Sequence, residues 1–179
     1  AGALGVREVD VGAVAAAVGG DGEDRAVPGE DDLGRRGGEG ARPGRARMTR
    51  RAAIVGGGVI GGGWLARFLL NGWDVAVFDP DPEAQRKIAE VLANARRSLP
   101  GLYDAALPAE GTLRFCGSIE EAVAGAEWVQ ESVSERLDLK HRVLSQIQAA
   151  LAPDAVIGSS TSGYKPSDLG SGVPRPAQV

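Results

Sequence analysis

Apolar and polar positions are distributed differently on the two sides of Met48. Upstream, residues 19–47 are dominated by Gly, Asp, Glu and Arg and carry almost no large apolar side chain. Such a segment buries too little surface to offset the entropy lost on ordering, so residues 1–47 are expected to be a disordered or low-complexity N-terminal extension. Ala3–Val18, richer in Ala and Val, could form a short helix within it. Met48 stands just ahead of the first strand pattern, so the first 47 residues are expected to be an upstream extension or a misassigned start, which N-terminal mass analysis would decide.

From residue 48 to 179, strand and helix patterns alternate, as a parallel sheet covered on both faces requires. Ala52–Val55 and Asp74–Phe78 are short apolar strands, with a helix opening near Val59 between them. Asp81 and Pro82 have the residue types of an N-cap and first helical position. In the helix they would open, Ile88, Val91, Leu92, Ala95 and Leu99 form one apolar stripe that Pro100–Gly101 stops. Leu113–Cys116 is a further short strand, and Ser118 with Glu121 has the spacing of a capping box. Trp128–Val133 alternates like a strand. Leu137–Leu151 returns to helical spacing through Val143, Leu144 and Ile147, and Ala155–Gly158 is a last strand running into Ser159-Ser160-Thr161-Ser162-Gly163.

The turn after the first strand is Gly56-Gly57-Gly58-Val59-Ile60-Gly61, a GxGxxG spacing. In a chain with 27 glycines among 179 residues the spacing alone is weak, and its position between strand and helix is what gives it weight. Gly56 would allow the tight turn, Gly58 the approach of a pyrophosphate, and Gly61 close helix–strand packing, while the helix end offers free N–H groups to phosphate. Asp79 ends the second strand, where a carboxylate can accept both hydroxyls of an adenosine ribose and repel a 2′-phosphate. Pro80-Asp81-Pro82-Glu83 brings no cation, so NAD is favoured over NADP. The alternative is a flexible glycine turn with Asp79 as a helix-side cap. The fold expected is α/β, a Rossmann-type doubly wound parallel sheet, with the hydroxyl-rich loop, Val133–Arg136 and the glycine turn sharing one crevice at the strands' carboxyl ends.

Charge and composition narrow the partners. A net charge of −4 and short basic clusters argue against nucleic acid. No apolar stretch approaches the roughly 20 residues that span a bilayer, and Arg7, Glu8 and Asp10 break any signal-peptide pattern. One Cys excludes an internal disulfide and fits a reducing cytoplasm, and one Cys with one His assembles no usual zinc site, so no metal is expected.

Five ordered segments carry a resemblance: Gly56–Trp64, Phe78-Asp79-Pro80, Trp128–Val133, Glu135–Lys140 and Ile157–Gly163. Together they make Arg51–Gln178 similar to the NAD-binding domain of the 3-hydroxyacyl-CoA dehydrogenase family, most closely to its carnitine-oxidising branch. The resemblance implies that Gly56, Gly57, Gly58, Val59, Ile60, Gly61 and Asp79 bind NAD. It further implies that Glu135 and Lys140 line the cofactor groove and that Ser162 contacts the substrate hydroxyl as the catalytic residue. Without it, Glu135 and Lys140 would be taken as a solvated pair at a helix start.

The resemblance also implies a small-molecule substrate, L-carnitine or a 3-hydroxyacyl-CoA, and a homodimer for the full-length form. The general base would be a His, held by a Glu, about twenty residues beyond Ser162 and past Val179. The helical C-terminal domain that provides dimerisation would likewise lie outside this sequence. Ser160 and Gly163 stand where the broader family has Asn and Ser. His141, the one His, is expected at a helix surface rather than as the base. Lys87, Arg96 and Arg97 are the cations available to a CoA phosphate, though a solvated helix face is the simpler expectation. A third possibility is an NAD-binding module without catalytic activity.

Overall fold

The computed structural model describes residues 49–179 together with the backbone of Arg7–Glu8. The disorder expected over 19–47 lies outside the described residues. Arg7–Glu8 form a strand, β1, and to that extent depart from the helix expected over 3–18. The chain continues through β2 (Arg51–Val55), α1 (Val59–Leu70), β3 (Asp74–Phe78), α2 (Ala84–Ser98), β4 (Leu113–Phe115), α3 (Ile119–Val123), β5 (Trp128–Glu131), α4 (Leu137–Ala150), β6 (Val156–Ser159) and α5 (Pro166–Gly170).

The strands form one sheet in the order β1-β4-β3-β2-β5-β6. All neighbours from β4 to β6 are parallel, and only β1 runs antiparallel at the edge. The chain therefore winds from β2 outward to β4, then crosses back to build β5 and β6 on the other side of β2. That reversal puts the carboxyl ends of β2 and β5 side by side at the switch point, where doubly wound sheets leave a crevice.

Period-two alternation divides the core between the two faces of the sheet. On one face Ile54, Val75 and Val77 pack with Leu65, Leu69, Ile88 and Leu92 of α1 and α2. On the other, Ala53, Val55, Val129 and Ile157 pack with Val123, Val143, Leu144 and Ile147 of α3 and α4. Fully burying one such aliphatic side chain stabilises by roughly 1.5–3 kcal/mol, so these two layers fix the strand ends from which the loops project.

Two helix starts separate expectation from outcome. Ser118 Oγ accepts the Glu121 amide at 3.1 Å and Glu121 Oε2 accepts the Gly117 amide at 2.8 Å, so α3 is capped as its sequence suggests. Asp81 does not cap α2. Its side chain takes the Glu83 amide at 2.9 Å and its carbonyl the Ala84 amide at 3.0 Å, which closes a separate turn, and the helix starts at Ala84.

Candidate functional site

The first wall of the crevice is the turn from β2 into α1. Gly56 has φ +95°, a backbone state that strains any residue with a Cβ. A Cβ there would also meet the Ser132 carbonyl oxygen at 2.7 Å, so the turn lies flush against the end of β5. Gly61 is held to glycine from the other side, because its Cβ would overlap the Gly56 carbonyl oxygen. Gly58 differs, with open space where a Cβ would be. It is the N-cap of α1, has no side chain to satisfy the helix's first amides, and is followed by no acidic residue in the first turn. That end thus offers unpartnered N–H groups and the positive end of a helix.

Asp79 ties this turn to the end of β3. The Gly57 amide donates to Asp79 Oδ2 at 2.6 Å and the Asp81 amide to Oδ1 at 2.8 Å. Each oxygen keeps a further lone pair, so the carboxylate can still accept hydroxyls. Val59 and Ile60 open α1 as exposed side chains, 84% and 60% accessible, beside the turn.

The second wall is built from side chains at the ends of β5 and β6. Glu131 and Lys140 have no exposed side-chain surface, and the ammonium lies 2.9 and 3.1 Å from the two carboxylate oxygens. Glu131 also accepts the Val133 amide at 2.7 Å and the Ser159 hydroxyl at 2.5 Å. Lys140 reaches the Val133 carbonyl at 3.3 Å and Glu135 Oε2 at 3.3 Å. Glu135 then extends outward, and its Oε1 accepts the Thr161 hydroxyl at 2.6 Å, the Ser162 amide at 2.9 Å and the Gly163 amide at 2.7 Å. Donation from Thr161, then from the Gly163 and Ser162 amides and from Lys140, holds its carboxyl down from 4.5 to about 2. Behind the loop, Ser132 and Ser160 hydroxyls lie 2.8 Å apart and Gln130 donates to Ser160 at 2.9 Å.

The structure brings Gly56–Gly61, Asp79, Glu135 and Ser162 to the carboxyl end of one sheet. Ser162 is exposed, its amide given to Glu135 and its hydroxyl free of partners among the described residues. Lys140 is the exception. Its ammonium is sealed beneath Glu131, Val133 and Glu135, so it shapes the groove from behind rather than lining it, and neither is it half of a solvated pair. Glu131 carries no motif of its own, although its alternation with Val129 places it on the core side of β5.

His141 also departs from expectation, because its Nε2 lies 2.8 Å from the Asp168 carbonyl oxygen and its ring occupies the space a Cβ on Gly172 would need. It packs α4 against α5 and is not a free surface imidazole. Lys87 pairs with Asp81 at 2.6 Å and Arg96 with Glu110 at 2.6 Å, while Arg97 donates to the neutral Asn94 side chain, so two of these three cations carry an ion-pair partner. A cavity of about 510 Å³ lies at the opposite end of the sheet, lined by Arg51, Asp74, Thr112, Arg114 and several alanines. The glycine turn, Asp79, Glu135 and the hydroxyl loop lie instead at the carboxyl end. Among the described residues there is no group of His, Cys, Asp and Glu able to hold a metal, and no helix is long and apolar enough to cross a membrane.

Known proteins share this architecture and sequence. The chain is 70% identical over 128 residues to an L-carnitine dehydrogenase/betainyl-CoA thioesterase of Ruegeria pomeroyi, covering 72% of this chain and 26% of that protein. It is 59% identical over 122 residues to an L-carnitine dehydrogenase of Mesorhizobium japonicum, covering 68% and 34%. It thus spans between about a quarter and a third of the length of these two relatives. Among solved structures, 5-formyl-3-hydroxy-2-methylpyridine 4-carboxylic acid 5-dehydrogenase, an NAD+ dependent dismutase, superposes with a TM-score of 0.65 at 34% identity, covering 73% of this chain and 43% of that one. Residues 51–179 match the NAD binding domain of 3-hydroxyacyl-CoA dehydrogenase, and the chain belongs to that family.

Proposed function

We propose that this chain is the cofactor-binding domain of an enzyme that oxidises the 3-hydroxyl of L-carnitine to 3-dehydrocarnitine, with hydride transfer to NAD. The observation that carries the reading is the crevice itself. A side-chain-free turn with open helix amides faces a hydroxyl loop, and both lie within the family match over residues 51–179. Similarity to relatives named L-carnitine dehydrogenase supports carnitine as the substrate. Lys87 and Arg96 already carry ion-pair partners, so the cations the sequence offers to a CoA phosphate give the 3-hydroxyacyl-CoA alternative no added support.

The residues present fit a bound dinucleotide. The amides at the start of α1 would face the pyrophosphate, and the spare lone pairs of Asp79 would take the ribose hydroxyls. When bound, NAD supplies the hydride acceptor. Ser162 would orient the carbinol by a hydrogen bond from its exposed hydroxyl, and Glu135 would hold the loop that carries it. Proton removal is assigned to a His that the family carries downstream of this serine, since Nε2 of His141 is engaged with a backbone carbonyl. A homodimer of the full-length protein and a cytoplasmic location complete the proposal, the latter because Cys116 is the single cysteine.

Two measurements test it. Titration of the 179-residue chain with NADH, followed by tryptophan fluorescence and calorimetry, should give saturable binding, and no saturation in either would refute the cofactor assignment. The gene product extended past Val179 should form NADH with L-carnitine and not with a 3-hydroxyacyl-CoA, and the reverse outcome would transfer the assignment to the CoA ester.

A further inference from the structure

We propose that Glu131 is a positioning residue for the crevice, acting through Lys140 to fix Glu135 as the acceptor that holds the Thr161–Gly163 loop and with it Ser162. The proposal deepens the cofactor-domain reading and rests on it for the role of Ser162.

The argument starts from the exposure of each member. Glu135 is a glutamate with 40% of its side chain accessible, a situation in which several rotamers are ordinarily open. Here one oxygen faces Lys140 at 3.3 Å, so the other is presented to the Thr161 hydroxyl and to the Ser162 and Gly163 amides. Lys140 can serve as that anchor only if it is itself fixed. It has no exposed surface, and a sealed ammonium must keep a paired carboxylate.

Glu131 is that carboxylate, and it cannot follow Lys140 elsewhere. Its two oxygens are also occupied by the Val133 amide and the Ser159 hydroxyl, which belong to the ends of β5 and β6. One ammonium is thereby shared between a carboxylate locked to the sheet and a carboxylate that grips the loop. The chain of contacts runs from the rigid strand ends to Glu131, Lys140, Glu135 and then Ser162. None of these links requires a bound nucleotide.

The test is amide hydrogen exchange by NMR on the chain without nucleotide. Glu135→Gln should accelerate exchange at Ser162 and Gly163 roughly tenfold, the factor expected for losing one charge-assisted interaction. Glu131→Gln should produce the same acceleration while Ala53 and Ile54 in the centre of β2 keep their rates. The double variant Glu131→Gln/Glu135→Gln should be no faster at the loop than either single one, because both act along one path. Independent, multiplying effects, or a loop unchanged in Glu131→Gln, would overturn the proposal and leave Glu131 a stabilising ion-pair partner only.

If circular dichroism shows that Glu131→Gln fails to fold, Glu131→Gln/Lys140→Met removes both buried charges together and permits the same reading. Tenfold faster exchange at the loop in that variant supports the relay, and unmodified exchange refutes it. Because exchange is read without NADH, failure of NADH to bind the unmodified chain would defeat the cofactor reading while the result for Glu131 still stands.

Discussion

The two walls of the crevice are made by opposite means. The glycine wall owes its shape to missing side chains. Gly56 turns where a Cβ would be strained, and Gly61 lets α1 lie against the turn without overlapping its carbonyl. The hydroxyl wall owes its shape to charge, with a buried ammonium shared by Glu131 and Glu135 and the loop gripped through three donors. A wall of the first kind resists change by sterics. A wall of the second kind is held by pairing that a single neutralised group undoes.

The largest expected effect is on the glycine wall. Gly61→Val places atoms on the Gly56 carbonyl oxygen and should destabilise by about 5 kcal/mol, the upper end for one substitution. Urea unfolding followed by circular dichroism measures it. Gly58→Ala provides the contrast, since its Cβ enters open space and should change stability by no more than about 1 kcal/mol. A folded Gly61→Val protein of ordinary stability would mean that the close approach of α1 to the turn is not what fixes this wall.

Next in size is Lys140→Met on the opposite wall. Removing the ammonium strands a fully buried carboxylate on Glu131, which should cost about 3–5 kcal/mol. Adding Glu131→Gln should return much of that loss, because a neutral amide beside an apolar side chain leaves no buried charge uncompensated. Equal instability of the single and double variants in urea unfolding would show that packing, not charge, holds the pair.

How far each wall could be anticipated follows from the same contrast. The glycine turn and Asp79 lie within a short stretch of chain, and their strand–turn–helix–strand order is written in local residue types. The second wall joins Glu131 to Lys140 across 9 positions and Glu135 to Thr161 across 26, and pairing between distant residues leaves no local motif. A weaker pattern was nevertheless present. Glu131 alternates in phase with Val129, and Lys140 falls on the Val143, Leu144 and Ile147 stripe, so both belong to the core side. Charged side chains are usually solvated, so a buried pair carries no compositional flag. Asp81 followed by Pro82 has the residue types of a helix cap, but an aspartate can also close its own turn over the next two residues, and here it does. The cover over His141 has no local signature, because α5 is a five-residue helix set by Pro166 and lies far along the chain.

A smaller effect, read in binding, is expected at the junction of the glycine wall with β3. Asp79→Ala removes the acceptor for the Gly57 amide and the proposed ribose partner, so the NADH dissociation constant should rise roughly tenfold. Calorimetric titration measures it. An unchanged constant would leave Asp79 as a turn-closing residue alone.

The smallest effect is a pH dependence of the hydroxyl wall. The folded-state value of Glu135 is depressed from 4.5 to about 2 by donation from Thr161, Gly163, Ser162 and Lys140. A carboxyl with a depressed folded value contributes stability that is fully present above its ordinary value and is lost as pH falls through the folded one. The loop should therefore stay gripped from neutral pH down to about 4.5 and loosen progressively between there and about 2. Because this side chain is substantially exposed, the effect on overall stability is screened by water and salt, and the local signal is the one to follow. In an NMR titration the Ser162 and Gly163 amides should shift with a midpoint near 2, whereas the Ala53 and Ile54 amides in the centre of β2 should not follow it. In Glu135→Gln the loop amides should lose that titration altogether. A loop midpoint near 4.5 in the unmodified chain would mean that the carboxylate is not gripping these donors in solution, and the charge-built wall would lose the feature that distinguishes it from the glycine wall.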